Sequence, residues 1–255
     1  MHKFYLELGE HHFEIQADSS SLINLFVSNF PAMKKIEKTS TDMTVHLHYA
    51  IPTIYNDFIT DGEKSKYTFQ QENYAFDINS EYNSTHLYII DGSSLRQAFM
   101  TVYSSFIVHN GWGLLIKAGC VVVHQTAHLL CGEYTETAVN KTERNPSLAN
   151  DLVLIKISLE RVTIVESPFN IAASASAVNT RNLSSLSFLQ KSFEDKRIKV
   201  GRTYSLLRLL DMVFYWPKTT EQTKNVILLL KQMVQQVPVF NCYFKNEETV
   251  KELIS

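Results

Sequence analysis

Between residues 129 and 154 the chain reads LLCGEYTETAVNKTERNPSLANDLVL. An apolar strand breaks at Gly132 into a polar loop, and a second apolar strand begins behind Asp151. A strand that runs into a glycine turn is the outline of a phosphate-binding loop, G-x-x-x-x-G-K-[ST]. Its glycines let backbone N–H groups wrap the phosphates, its Lys neutralises the transferring group, and its hydroxyl holds magnesium. Set on Gly132, that register puts Thr137 at the second Gly, Ala138 at the Lys and Val139 at the metal-holding hydroxyl. Only the first Gly is kept. Glu133 and Glu136, on either side of Thr135, bring negative charge into a loop meant for an anion.

The rest of the chain sorts into a β-rich start, a strand-dense middle and a helical end. Phe4, Leu6 and Leu8 alternate with Tyr5 and Glu7, and Phe13 and Ile15 continue the pattern past Gly9-Glu10, which predicts a hairpin. Ser19 to Ser21 cap a short helix that Pro31 ends, and Val45, Leu47 and Tyr49 form another strand. Residues 53–85 are polar and aromatic, suited to short strands or a long loop. A strand follows at His86–Ile90, and Ser93-Ser94 opens a helix carrying Leu95, Phe99, Val102, Tyr103 and Phe106. Then come short apolar strands at 114–116, 120–124 and 127–131, a hairpin over 152–165, a small-residue loop at 170–181 and a strand at 186–189. Two amphipathic helices, 203–215 and 220–236, a strand at 238–244 and a final helix at 247–254 complete the chain. Aliphatic content rises near residue 92, which divides the chain into a β-rich N-terminal region, 1–92, and a core, 93–255.

With 255 residues, 45% of them apolar and 20% charged, the chain buries enough surface to fold without disulfides or metal. The net charge of −2 gives no general attraction to nucleic acid or anionic membrane. Three cysteines at irregular spacing form no disulfide framework, no apolar run approaches a membrane span, and the first ten residues do not read as a signal peptide. Cytoplasm is the expected location.

Six segments, in order, resemble the HPr kinase-like branch of the phosphoenolpyruvate-carboxykinase fold. Leu114 to Val121 sits where that family has an apolar strand containing His-Ala, and Leu129 to Gly132 at the strand entering its phosphate loop. Asn150-Asp151-Leu152-Val153-Leu154-Ile155 resembles its Asp-Asp-Leu-Val-Leu-Ile strand, and Glu166 to Phe169 its Gly-Thr-Pro-Phe turn. Leu186 to Leu189 fits its Ile-Phe-Phe-Leu strand, and Val237 to Phe244, with Val250 and Leu253 behind it, its C-terminal Val-Pro-Val-Tyr strand and helix. The resemblance implies a mixed α/β core of short strands with flanking helices, preceded by a β-rich accessory region. It also implies relatives that phosphorylate a Ser on a protein or peptide, some of them in the maturation of ribosomally made peptides.

The departures from that pattern fall on the chemistry. Besides Ala138 and Val139, Lys117 stands where the family has a strand His, and Asn150 replaces the first of two acidic residues, leaving Asp151. Phosphoryl transfer depends on compensating charge on the transferred group, so their loss predicts a pseudokinase that binds a protein or peptide partner, with no cofactor. Lys117 and Asn150 are then candidate cleft residues. The alternative is a divergent Ser kinase that uses ATP and magnesium through Lys141, Thr142 and Asp151, the Lys-Thr pair lying three residues later than the motif requires. Asp151 serves equally as the cap of the turn before its strand. The oligomeric state is left open.

Other constellations carry less. Cys120, His124, His128 and Cys131 are zinc-ligand types within twelve residues, and the preferred reading is buried Cys with turn-exposed His. His46 and His48 share a strand face as surface polar residues. Tyr67, Phe69, Tyr74, Phe76 and Tyr82 are the best candidate binding surface of the N-terminal region, with a satellite cluster under a loop as the equal alternative, and Trp112 and Trp216-Pro217 are candidate contact aromatics.

Overall fold

A computed structural model describes residues 1–31, 33–50, 66–133, 135, 152–165, 169, 180–215 and 219–254. The chain is mixed α/β, with two large sheets and, among the described residues, five α-helices. It divides into two compact units, Met1–Phe106 and Ile107–Ser255. None of the described helices is long and apolar enough to cross a membrane.

The first unit is built on strands β1 (His2–Leu8), β2 (His11–Ala17), β3 (Lys34–Lys35), β4 (Met43–Tyr49), β5 (Lys66–Gln70), β6 (Tyr74–Asn79) and β7 (Ser84–Ile89), in the order β3-β1-β2-β4-β7-β6-β5. The β1–β2 hairpin turns at Gly9, whose φ of 65° suits a residue without a Cβ. Helix α1 (Ser20–Asn29) carries the chain from β2 to its parallel neighbour β4, and the Ser19 hydroxyl caps it by accepting from the Leu22 N–H. Helix α2 (Gly92–His109) follows β7, and the division between units falls within it. Its cap is Asp91, whose carboxylate accepts from the Ser94 N–H at 2.7 Å, in place of the Ser93-Ser94 pair expected from sequence.

Alternation then sorts the side chains. Leu6, Phe13, Ile15, Met43, Val45, Leu47, Phe76, Ile78, Leu87 and Ile89 are buried on one face. Phe13 meets Phe99 of α2 edge-on at 5.9 Å, and Phe99 meets Phe26 of α1 at 5.1 Å. Of the two readings of the aromatic stretch, binding surface or packed cluster, the structure favours the second: Tyr74, Phe76 and Tyr82 are buried, and Phe69 stacks on Phe76 at 5.0 Å. With few aliphatics in the segment, the aromatics supply its apolar area. On the opposite face His46, His86, His48 and Tyr88 are half-exposed and stack in a row across β4 and β7.

The second unit holds a nine-stranded sheet: β8 (Gly113–Lys117), β9 (Gly119–Val123), β10 (Thr126–Cys131), β11 (Leu152–Ile157), β12 (Val162–Val165), β13 (Arg181–Lys191), β14 (Lys196–Lys199), β15 (Val213–Phe214) and β16 (Val239–Phe244). β13 organises it. Its first residues pair with β12, and its remainder runs parallel to β10 on one side and β16 on the other. Helices α3 (Arg202–Leu210), α4 (Thr220–Gln236) and α5 (Val250–Ile254) complete the unit, and Val226, Leu229, Leu230 and Met233 of α4 join Val153, Ile155 and Phe188 in its main core. The helix expected over 203–215 stops at Leu210. Val213 and Phe214 leave it to pair with Ile116 and Leu115 of β8, where sheet hydrogen bonds replace helical ones. Gly113 opens β8 where an added Cβ would lie 2.0 Å from the Ile155 carbonyl oxygen.

Candidate functional site

β10, β13 and β16 form a parallel trio, and Gly132 follows directly on the last residue of β10. In open α/β sheets, ligands bind beyond the carboxyl ends of parallel strands, so this edge is the candidate site. Gly132 has φ 127°, a conformation that residues with a Cβ rarely adopt, and an added Cβ would stand 3.0 Å from the Leu189 carbonyl oxygen of β13. The chain turns there because Gly alone tolerates both the angle and the approach.

Three of the sequence-predicted loop residues, Gly132, Glu133 and Thr135, are described, and Thr135 turns inward. The Thr135 N–H donates to the Gly132 carbonyl at 3.3 Å, and the Thr135 hydroxyl donates to the same oxygen at 2.6 Å. That hydroxyl also lies 3.4 Å from the Leu130 carbonyl, and Thr135 is buried. A donor pair that could face a ligand thus closes the turn instead. Glu133 is exposed. Glu136, Thr137, Ala138, Val139, Lys141, Thr142, Asn150 and Asp151 lie outside the described residues, as do Trp216, Pro217 and most of the 170–181 loop.

Lys117 belongs to the same edge by register. It ends β8 and is exposed, it pairs with Leu152, the residue after Asp151 in sequence, and two positions later Gly119 pairs with Leu130 of β10. Strand pairing therefore gathers Lys117, the start of β11 and Gly132 at one side of the sheet.

Sequence reasoning missed the polar side chains above this edge. Phe188 of β13 lies between Cys131 of β10 and Asn241 of β16. Across it α3 lays Tyr204 and Arg208, four residues apart and so on one helix face. The Arg208 guanidinium sits 4.5 Å over the Phe188 ring, and its Nη1 donates to the Tyr204 hydroxyl at 2.8 Å. Hydrogen bonds from Asn241 first, and from Arg208 second, lower the Tyr204 pKa by favouring its phenolate. The helical spacing of Tyr204 and Arg208 was visible in the sequence; nothing there tied it to Gly132.

The zinc-type residues resolve otherwise. Cys120 and Cys131 are buried, and burial pushes both thiols up to about 12, which leaves them protonated and unreactive. His124 is exposed at the turn, which is built by His124 and Gln125, both with positive φ. His128 departs from the expected turn-exposed state: it is buried, with Nδ1 2.8 Å from the Ser185 hydroxyl and Nε2 3.2 Å from Thr126 Oγ1. Arg197 donates to Ser185 Oγ at 2.9 Å, so Ser185 passes its own proton toward Nδ1. His128 then carries its hydrogen on Nε2 and donates to Thr126, which donates to the Val123 carbonyl. One direction of donation satisfies the whole chain with a neutral imidazole. Among the described residues, no three His, Cys, Asp or Glu side chains are grouped to hold a metal ion.

Comparison with known protein families finds no match to this sequence, and comparison with curated proteins finds no significant relative.

Proposed function

We propose that this chain is a catalytically degenerate HPr kinase-like protein, a pseudokinase that serves as a peptide- or protein-binding module, in a cytoplasmic peptide-maturation pathway. The observation that supports this most is the inward closure of the turn after β10. The Thr135 hydroxyl and N–H both bond the Gly132 carbonyl, where a phosphate loop aims its donors outward. The strand-to-glycine turn beside a parallel neighbour is what a phosphate loop needs from its scaffold. The side chains run the other way: Glu133 adds a carboxylate, and Ala138 and Val139 supply neither the cation nor the metal-holding oxygen. A site of this kind disfavours a triphosphate and leaves a sheet edge open to a less charged partner.

The test is thermal unfolding of the whole chain with millimolar magnesium-ATP. A ligand at a hundred times its Kd adds about 2.7 kcal/mol, a shift that is easily seen. No shift is expected. A shift abolished by Lys141→Ala would replace this reading with that of an active Ser kinase using Lys141, Thr142 and Asp151.

A further inference from the structure

We propose that Arg208 and Tyr204, above the carboxyl ends of β10, β13 and β16, form an oxyanion site that takes a carboxylate of an acidic peptide. The proposal deepens the peptide-binding reading and rests on it.

Among the described residues, Arg208 is a cation held in place without a counter-charge. Its guanidinium lies 4.5 Å over Phe188 and 5.8 Å from the centre of the Tyr204 ring, and it donates one hydrogen bond, to a neutral phenol. Ion pairs join Lys3 to Glu14 and Lys34 to Glu7, whereas Arg208 has none among the described residues. A guanidinium has five N–H donors in a planar fork that matches a carboxylate, and packing against rings fixes that fork in advance. Tyr204 adds a second donor. Its oxygen receives a hydrogen bond from Arg208 at 2.8 Å, which leaves the O–H able to donate to a ligand. The phenol ring is oriented edge-on to Phe188 at 6.5 Å, and Tyr204 is 40% exposed, within reach of a ligand.

Location sets the ligand class. Phe188, over which Arg208 lies, pairs with Cys131, one residue before Gly132. The oxyanion site therefore adjoins the turn where Glu133 stands exposed. The described charges at this edge, Arg208, Lys117 and Glu133, sum to one positive charge, which suits a singly charged ligand group over a multiply charged phosphate. A peptide carboxylate meets both conditions.

The test uses the whole chain and a fluorescein-labelled hexaglutamate peptide, with hexaglutamine as its neutral match, read by anisotropy. Hexaglutamate is expected to bind and hexaglutamine not. Arg208→Gln should weaken binding by roughly tenfold to a hundredfold, the range for a charged hydrogen bond, and Tyr204→Phe by roughly two- to tenfold. Arg161→Gln, in the exposed turn between β11 and β12, should leave binding unchanged. Glutarate should compete and inorganic phosphate should not. With ¹³C-labelled tyrosine, the Tyr204 signal should move on binding, which a merely structural role for Arg208 would not produce. Equal binding of the two peptides, equal affinity in a folded Arg208→Gln variant, or competition by phosphate alone would overturn the proposal. Should magnesium-ATP bind and Arg208→Gln abolish it, both the carboxylate assignment and the pseudokinase reading fail. Should neither ATP nor hexaglutamate bind, the oxyanion site fails and the pseudokinase reading stands.

Discussion

Replacing Gly132 by Ala tests the turn on which the site depends. At φ 127° the backbone lies in a region nearly reserved for glycine, and occupying it with another residue costs about 1–3 kcal/mol. The new Cβ would also stand 3.0 Å from the Leu189 carbonyl oxygen, a backbone atom of a central strand that has little freedom to retreat. Loss of glycine's freedom in the unfolded chain returns about 0.4–1 kcal/mol, and the middle of the two ranges, with the close approach to Leu189 added, puts the net destabilisation at about 1–2 kcal/mol. In a chain of this size each kcal/mol moves the melting temperature by about 2–4 °C, giving an expected drop of about 2–8 °C. Both tryptophans, Trp112 and Trp216, fall in the second unit, so fluorescence excited selectively at tryptophan follows that unit alone. Gly201→Ala is the control. Gly201 has φ −71° at the α3 cap and nothing within 4 Å of an added Cβ, so its change should be small. A Gly132→Ala melt within 1 °C of the parent would refute the close approach to β13, and with it the description of the turn.

Further outcomes follow from the same geometry. Gly113→Ala should destabilise the second unit more than Gly132→Ala, by tryptophan fluorescence, because its Cβ would fall 2.0 Å from the Ile155 carbonyl and force β8 from β11. Phe99→Ala should cost about 3–5 kcal/mol in the first unit, where the ring touches Phe13, Phe26 and Phe30; denaturation followed by circular dichroism measures it. Burial first, and the Arg197 charge second, lower the His128 pKa from its ordinary 6.5, so the folded state binds fewer protons there than the unfolded chain. The second unit should therefore keep this contribution above pH 6.5 and lose it as the pH falls toward and through the depressed value, and His128→Gln should flatten the slope of stability against pH between 7 and 5. Thr219→Ala should cost about 1 kcal/mol, since the Thr219 hydroxyl accepts from the Gln222 N–H at 3.1 Å to cap α4.

What could be read in the sequence follows where one physical signal acts alone. β1, β2, β4 and β7 alternate because each has one buried and one wet face, and α4 announces itself by a Thr cap and a clean apolar stripe. Met212-Val213-Phe214 misleads because its apolar residues continue the period of α3, while the free edge of β8 offers backbone partners that sequence does not display. β14 was invisible for a different reason. Lys196-Arg197-Ile198-Lys199 forms an edge strand, where charge discourages further pairing, so its composition opposes the strand signal. β13 begins earlier than its apolar run because Ser185 is buried at no polar loss, held by His128 and Arg197.

The candidate site divides along the same line. Gly132 was legible because its conformation demands glycine, a constraint local to one residue. Arg208, Tyr204 and Asn241 were not, since they come from a helix and a strand more than seventy residues further along and meet only through the parallel pairing of β13 with β10 and β16. A motif search rewards residues that are near in sequence, whereas charge compensation depends only on distance in space. An Ala at position 138, where a phosphate-loop register would put a Lys, therefore says nothing about charge brought to this edge by other elements. Arg208 supplies a cation from another element, beside a turn whose own donors are turned inward. A fixed guanidinium with a phenol beside it favours recognising a carboxylate over transferring a phosphoryl group, so the proposed pseudokinase reading and the proposed oxyanion site call for one and the same function.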